Sequence, residues 1–201
     1  MNDKQPEPGG EPRRITDVGT LKALGHPLRL RVYGTLRVAG PSTASQLAGQ
    51  VDEAVSLVSY HLRKLAEHGL IEEADVQSED ARERWWQAAQ DSLSFRHEDF
   101  KDSPEGAATH AAVLRSLIAY RREQYETYLD QQEAWGAEWR LAADQSDFLA
   151  RLNPAELKRL NAEIHALVRT YEEQGKAAEA AGDTEGRENV AVHMASFPFR
   201  L

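Results

Sequence analysis

Glycine and proline divide the stretch from Thr16 to Gly69 into short segments, and each segment carries apolar residues at helical spacing. We expect Thr16 to cap a first helix, which stops at Gly25 in the left-handed conformation. Pro27 suits the first turn of a second helix, which ends at Gly40. The pattern therefore predicts several short amphipathic helices. Their inward-facing residues are Val18, Leu21 and Leu24 in the first helix and Leu28, Val32 and Leu36 in the second.

Two more helices follow, with a tight turn between them. The spacing Thr43-x-x-Gln46 fits a capping box that opens a very short third helix ending at Gly49. Residues 49–52 make the turn, and Asp52 is expected to cap the fourth helix. Spacings of 3, 4 and 3 residues along the fourth helix predict a buried stripe made of Val55, Val58, Leu62 and Leu65.

After Gly69 the chain changes from helical to extended periodicity. Leu65 and Leu70 occupy the two positions whose side chains touch in a Schellman stop. Residues 70–76 and 82–88 then predict two strands, with a polar tip at 77–81 between them. We expect a β-hairpin packed beside the helices.

Two helices joined by a tight turn, with another helix before them and a hairpin after them, have the order of a winged helix-turn-helix. In that arrangement the exposed side of the fourth helix enters the major groove of DNA. The N-terminus of the third helix offers N–H groups to a phosphate. The DNA-binding residues predicted on these elements are Ser42, Thr43, Gln46, Ser56, Ser59, Tyr60, Arg63 and Lys64.

Part of the sequence is similar to a known family, and the similarity lies in Leu24-Gly25-His26-Pro27-Leu28-Arg29-Leu30, Ser59-Tyr60-His61-Leu62-Arg63-Lys64-Leu65 and Gly69-Leu70-Ile71. These stretches resemble the winged-helix DNA-binding domain of ArsR-type bacterial transcriptional regulators, over about residues 16–88. The resemblance implies that Arg82 and Arg84 of the wing reach the flanking DNA backbone or minor groove. The alternative is that they form surface ion pairs with the neighbouring Glu79, Asp80 and Glu83. The resemblance also implies that His61 serves in packing or in a phosphate contact.

The metal-sensing branch of that family carries thiolates on the helix that corresponds to residues 44–48, whereas this chain contains no cysteine. A second site of the family uses histidines and carboxylates on a C-terminal helix. His97, Glu98, Asp99 and His110 echo it without the spacing that places two ligands on one helical face. We therefore expect no metal and no cofactor, and a closer similarity to the larger, actinobacterial-type members of the family.

The net charge of −9, taken over the whole chain, argues against a nucleic-acid binder. The charge is unevenly distributed, however. Residues 1–90 contain 11 Lys and Arg against 13 Asp and Glu, whereas residues 91–201 contain 13 against 20. The first part is therefore close to neutral and can still present a local basic face.

A long helical pattern covers about residues 105–144, after a connecting loop at 91–104. Such a helix would be roughly 60 Å long, and a domain about 30 Å across cannot bury its apolar face. We therefore expect it to pack against a second copy of the chain. The residues predicted to form a core or dimer seam, or alternatively an effector pocket, are Val113, Leu117, Tyr120, Tyr128, Trp135 and Trp139.

The remaining C-terminal segments predict one more helix and a minor β element. Residues 148–152 and 189–197 are expected as strands, and Asn153-Pro154 opens a helix that is followed by a link at 172–187. The predicted fold class is mainly α with a small β-wing. The predicted organisation is a disordered tail at 1–12, a winged helix-turn-helix domain at 13–90 and a helical dimerisation and effector region at 91–201.

The main hypothesis is a cytoplasmic homodimeric transcriptional regulator, a repressor more readily than an activator, which binds a pseudo-palindromic double-stranded DNA operator and responds to a small-molecule effector. The alternative is a protein-interaction module whose acidic second half docks a partner. An enzyme is disfavoured because the chain lacks the common nucleophile, zinc-protease and phosphate-loop motifs. We also expect no membrane span and no secretion signal.

Overall fold

The computed structural model of this protein describes residues 12–76, 83–90 and 92–200. They form two compact units, the first ending at Gln132 and the second beginning at Glu133. The described residues are mainly helical with a small antiparallel sheet, which confirms the predicted fold class. No helix among them is long and apolar enough to cross a lipid bilayer.

The first unit combines short strands with five described helices. In chain order its elements are β1 (Arg13–Arg14), α1 (Val18–Leu24), α2 (Pro27–Ala39), β2 (Ser42–Thr43), α3 (Ala44–Val51), α4 (Val55–Glu67), β3 (Ile71–Glu73), β4 (Trp85–Ala88), β5 (Leu93–Ser94), a 3-10 turn (His97–Asp99) and α5 (Pro104–Gln131).

The ends of α1 differ from the prediction. Asp17, not Thr16, caps the helix, since the Asp17 carboxylate accepts a hydrogen bond from the Thr20 N–H at 2.7 Å. Gly25 ends the helix in the right-handed region with φ of −72°, so the predicted left-handed stop is wrong. A right-handed Gly25 lets Pro27 begin α2 almost at once, as the sequence predicted.

The turn between α3 and α4 lies later than predicted. The capping box is confirmed, because the Thr43 hydroxyl accepts from the Gln46 N–H and the Gln46 side-chain oxygen accepts from the Thr43 N–H. However, α3 continues through Gly49, and Asp52 ends it in the left-handed conformation with φ of 51°. Asp52 therefore does not cap α4, whose N-cap is Ala54 with no side-chain hydrogen bond.

The stripe predicted along α4 is correct in three of its four positions. Val58, Leu62 and Leu65 are buried, and they pack in one core with the inward faces of α1, α2 and α3. Val55 is 47% exposed instead, because it lies in the first turn of the helix, beyond the edge of the core. The remaining buried position on α4 is occupied by His61.

The predicted stop at Gly69 is confirmed. Gly69 has φ of 61°, and the Leu70 N–H donates to the Leu65 carbonyl oxygen at 3.0 Å, which is the long bond of a Schellman motif. The chain leaves this stop directly into β3. Leu70 and Ile71 are buried, so the stop connects the core of the helices to the sheet.

The sheet has the order β2-β4-β3, with both pairs antiparallel. Ile71 lies opposite Ala88, and Ser42 lies opposite Trp86, so the segment before α3 forms the third strand. We call β3, β4 and their connection the wing. The predicted tip at 77–81 lies outside the described residues.

Two elements show why the first unit extends to Gln132. In the segment predicted as a loop, β5 pairs in parallel with β1. Along α5, Val113 is buried in the core, and Leu117 and Tyr120 pack against that core. The predicted domains at residues 13–90 and 91–201 stay a prediction.

The second unit contains α6 (Ala137–Ala142) and α7 (Pro154–Ala180), and a 3-10 turn (Gln132–Ala134) includes the last residue of the first unit and the first two of the second. The single long helix predicted to residue 144 is wrong, because the chain breaks between α5 and α6 and Gly136 is extended there. Residues 172–180 belong to α7 rather than to a link, since Ala, Glu and Lys favour helix.

The two strands predicted for the second unit are also wrong. Residues 148–152 and 189–197 carry no regular structure. A strand needs a neighbouring strand to hydrogen-bond its backbone, and the described part of this unit provides none. The minor β element is therefore absent from residues 133–200.

Candidate nucleic-acid interface

One side of α4 points outward and carries the residues predicted to contact DNA. Ser56, Tyr60 and Arg63 are exposed, and Ser59 and Lys64 are half-buried beside them. Because Val58, Leu62 and Leu65 hold the opposite side in the core, the helix cannot turn this flank inward. The flank offers hydroxyls, a phenol and two cations to a groove.

The start of α3 presents backbone more than side chain. Ser42 and Thr43 are buried, and the Ser42 hydroxyl donates to the Gly40 carbonyl at 3.1 Å. The hydroxyl of Thr43 and the side-chain oxygen of Gln46 are occupied by the capping box. Phosphate contacts predicted for this end would therefore involve the first N–H groups of the helix and the exposed Ser45, which the sequence analysis missed.

The wing contributes one described arginine. Arg84 Nε lies 3.2 Å from Glu73 Oε1, and its guanidinium lies 5.7 Å from the centre of the Trp86 ring. Both members of the ion pair are exposed, so the pairing leaves Arg84 free to exchange Glu73 for another anion. Arg82 lies outside the described residues.

A depression of about 270 Å³ lies between the start of α3, the outward flank of α4 and the wing. It brings together four of the predicted residues, namely Thr43, Ser59, Arg63 and Arg84. Its remaining lining residues are Ala44, Ser45, Glu83 and Trp86. Two guanidinium groups therefore face one depression with one carboxylate, Glu83.

A family model described as a helix-turn-helix domain matches residues 24–74. The match begins at the end of α1, includes α2, α3 and α4, and ends just after β3. The first unit contains a winged helix-turn-helix domain. This match supports a DNA-binding regulator, and we call the first unit the winged unit from here on.

Other comparisons are more distant. The structure of Lactococcus lactis ZitR, a C30AH42A mutant in the apo form, is similar to this chain at 16% identity, with a TM-score of 0.26. The similarity covers 76% of this chain and 81% of that one. No curated protein matches the chain.

The two cations on α4 of the winged unit differ in their surroundings. Lys64 Nζ lies 2.7 Å from Glu67 Oε2, and this hydrogen bond raises the pKa of the lysine and lowers that of the glutamate. Arg63 donates to the Ser59 carbonyl at 3.3 Å, within its own helix. The hydrogen bond to a neutral carbonyl leaves Arg63 the better placed of the two to meet a phosphate or a base edge.

A pair of histidines lies behind this flank. The ring of His61 is 4.6 Å from that of His26 and 5.2 Å from that of Tyr60, centre to centre. His61 is buried, and its Nδ1 has no hydrogen-bond partner in the described part of the chain. Burial, followed by the nearby His26 and Arg29, lowers the pKa of His61. The sequence placed His61 in packing or at a phosphate but contained no signal for its contact with His26.

The residues predicted for a seam or an effector pocket do not form one set. Val113, Leu117 and Tyr120 face the core of the winged unit, as described above. Tyr128 lies further along α5 and stacks with Tyr125 at 6.1 Å. The last two, Trp135 and Trp139, belong to the second unit, where their rings are 6.3 Å apart.

The residues that loosely resemble the second metal site of the family form ion pairs and ring contacts instead. Asp99 pairs with Arg14, which lowers the pKa of the carboxyl, and Glu98 pairs with Lys101. His110 is buried among aromatic rings, 5.8 Å from Phe100. In the described residues, no group of three His, Cys, Asp or Glu side chains is arranged to hold a metal ion.

Proposed function

We propose that this protein is a sequence-specific DNA-binding transcriptional regulator in which α4 is the recognition helix. The observation that carries the proposal is the outward flank of α4, which lies beside a depression lined by Arg63 and Arg84. The flank enters the major groove, where Tyr60 and Arg63 reach base edges, and the Arg84 guanidinium contacts a phosphate that borders the groove. Arg82 and Arg84 extend this contact from the wing to the flanking backbone or minor groove.

The regulator acts as a homodimer on a pseudo-palindromic operator. A stripe of exposed apolar residues on α5 supports this part of the proposal, because it lies on the side of the helix that the core leaves uncovered. A pseudo-palindromic operator requires the two recognition helices of such a dimer to enter successive major grooves, about 34 Å apart. The stripe consists of Leu114, Ile118, Tyr125 and Leu129.

The dimer represses by occupying its operator, and an effector releases it. The apolar side chains of residues 133–200 are the candidate surface for that effector, Trp135 and Trp139 among them. An effector that changes the spacing of the two recognition helices needs a coupling of about 1 to 3 kcal/mol.

Fluorescence anisotropy with DNA from upstream of the protein's own gene tests the proposal. The wild-type protein is expected to bind a discrete site, with an affinity that falls steeply as salt is raised. Arg63→Ala is expected to weaken specific binding by about 1 to 3 kcal/mol and to relax the sequence preference, as is Tyr60→Ala. Arg159→Ala removes an exposed cation from α7 and is the matched control, expected to leave specificity intact.

Full specificity in both Arg63→Ala and Tyr60→Ala would reject α4 as the recognition helix. No binding to any DNA at about 50 mM salt, where phosphate contacts are strongest, would reject DNA as the ligand. That second result would favour the protein-interaction module.

A further inference from the structure

Two apolar side chains in the first turn of α4 are exposed, on either side of Ser56. Val55 is 47% exposed and Leu57 is 40% exposed, although α4 buries its other valine and its other leucines. Ala54, at the N-cap, provides no side-chain hydrogen bond, and the first turn contains no acidic residue. The helix therefore begins with three apolar side chains at the surface, where a polar cap is favoured.

Most of the described helices begin differently. A side-chain cap starts α1, α3, α5 and α7, and Pro27 starts α2, whose N-cap His26 also lacks a side-chain hydrogen bond. Among the described helices, α6 shares the uncapped start of α4. A helix start without a polar cap, and with apolar side chains partly exposed to water, is less stable than a capped start. Such departures concentrate at positions that serve function.

The position of this turn within the domain indicates what it meets. In a helix-turn-helix the N-terminal residues of the recognition helix are those that reach the base edges. Val55 lies one turn before Ser59, and Leu57 lies three residues before Tyr60. The two apolar side chains thus border the exposed Ser56 and continue into the outward flank.

We propose that Val55 and Leu57 contact the 5-methyl groups of thymines in the major groove, so that the protein selects half-sites with thymine at these positions. The inference rests on the proposed function, with α4 as the recognition helix. The 5-methyl group of thymine is the apolar feature that the four standard bases present in the major groove, and apolar side chains recognise it. The neighbouring hydroxyl of Ser56 completes the contact with a hydrogen bond to a base edge.

A DNA partner fits this surface better than a protein partner does. The apolar turn is continuous with two serines on the same flank, and Arg63 lies further along it. The depression next to the flank contributes Arg84 as a second guanidinium. Two apolar side chains with a hydroxyl between them, and guanidinium groups further along, match a groove that has methyl groups on its floor and phosphates on its walls.

The test begins with a site selected from random double-stranded DNA by the full-length protein. Each thymine of that site is then replaced by deoxyuridine, which removes only the 5-methyl group, and affinity is measured by anisotropy. We expect about a fourfold loss for each methyl that the protein contacts, the equivalent of about 0.8 kcal/mol for one buried carbon. Replacing a thymine whose methyl group the protein does not contact should leave the affinity unchanged.

The variants Val55→Ser and Leu57→Ser assign the methyl groups to their side chains. Each variant is expected to bind the thymine and the uracil versions of one position with equal affinity, because the apolar partner is gone. Val38→Ser removes a comparably exposed valine from α2 and is the matched control. It should keep the full sensitivity to uracil.

A selected site whose affinity does not depend on any thymine methyl would overturn this inference and leave the proposed function standing. The same holds if the loss with uracil persists unchanged in both serine variants. Both serine variants could also bind the thymine and uracil forms of the site with the affinities of the wild type. In that case Val55 and Leu57 do not contact DNA, a protein contact becomes the better explanation of the turn, and the inference fails. If no specific site is selected at all, the proposed function fails with it.

Discussion

The two units of this protein use their apolar residues in opposite ways. In the winged unit the leucines of α1 to α4 are almost all withdrawn from water, and they meet in one core with Val113 of α5. In residues 133–200 no residue is fully buried, and Leu141, Phe148 and Leu149 are more than three-quarters exposed. The difference teaches that amphipathic helices alone do not make a core.

The cause is the arrangement of the elements. The winged unit has five described helices whose apolar faces converge from several directions, and a sheet that covers one edge. The second unit has one short and one long helix, joined by an irregular segment at 143–153. With so few faces available, the apolar side chains of one copy cannot surround one another.

The largest effect is expected where a core leucine is removed. Leu62 is fully buried, and Leu62→Ala should lower the free energy of unfolding by about 2 to 5 kcal/mol, because it leaves a cavity. Leu167 on α7 is 59% exposed, and Leu167→Ala should change stability by less than about 0.5 kcal/mol in dilute protein. Urea unfolding followed by circular dichroism measures both.

Repeating this experiment over a range of protein concentrations sharpens it. A loss in Leu167→Ala that grows with concentration would show that a second copy buries this side chain. An equally large, concentration-independent loss in both variants would break the comparison, since α7 would then have a core of its own.

Added methyl groups should act with opposite signs in the two units. A Cβ at position 25 would lie 2.5 Å from Val113 Cγ2, so Gly25→Ala should destabilise the winged unit by about 1 to 3 kcal/mol. Gly175 lies within α7 with nothing near its missing Cβ, so Gly175→Ala should stabilise that helix by about 0.5 to 1 kcal/mol. Thermal unfolding and helical content report the two effects. If Gly25→Ala leaves the stability unchanged, α5 shifts enough to relieve the contact between the added Cβ and Val113.

Both units contain a capping box, which allows a matched test of how local structure couples to the rest. Thr43→Ala removes the cap of α3 and should lower global stability by about 1 kcal/mol, because Thr43 also belongs to β2. Asn153→Ala removes the cap of α7 and should only fray the first turn of that helix. Native-state hydrogen exchange distinguishes global from local opening. Global destabilisation by Asn153→Ala would contradict the comparison.

The smallest effect is a pH dependence in the winged unit. Burial holds the pKa of His61 below the ordinary histidine value of about 6.5, so the unfolded chain takes up this proton more readily than the folded chain does. The contribution of His61 to stability is therefore complete above about pH 6.5 and decreases as the pH falls below it. Urea unfolding at pH 7.5 and at pH 5.5 measures the decrease.

The His61→Gln variant is expected to show a smaller decrease than the wild type. Carboxyls with a lowered pKa, such as those of Asp17 and Asp99, also lose stabilisation in acid, so only the difference between variants reports on His61. His165→Gln, at an exposed position on α7, is the control and should behave as the wild type. An unchanged decrease in His61→Gln would show that this histidine carries none of the pH dependence.

The sequence predicted the winged unit well where local chemistry decides the structure. The capping box at Thr43, the start of α2 at Pro27 and the stop at Gly69 each depend on a few neighbouring residues, and all three are confirmed. Asp52 shows the limit of such rules. An aspartate is suited both to cap a helix and to end one in the left-handed conformation, and only the path of the chain between α3 and α4 selects the second role.

For the candidate site, too, the sequence predicted the local features and not those that depend on distant parts of the chain. The outward direction of Ser56, Tyr60 and Arg63 follows from the spacing of the buried residues on α4, and the structure shows these side chains exposed. Their contact with DNA stays a prediction. The depression that joins Arg63 to Arg84 could not be predicted, because the two residues are distant in sequence and meet only through the pairing of β4 with β2.

The sequence by itself determined where α2 begins and ends, where α3 begins, where α4 ends, and which face of these helices is apolar, because periodicity and capping act within a few residues. Only the tertiary structure decided that Val113 of α5 completes the core, that His61 lies against His26, and that the expected strands at 148–152 and 189–197 do not form. These outcomes depend on which distant segments become neighbours. A strand or a buried side chain exists only where another part of the chain supplies its hydrogen bonds or its contacts.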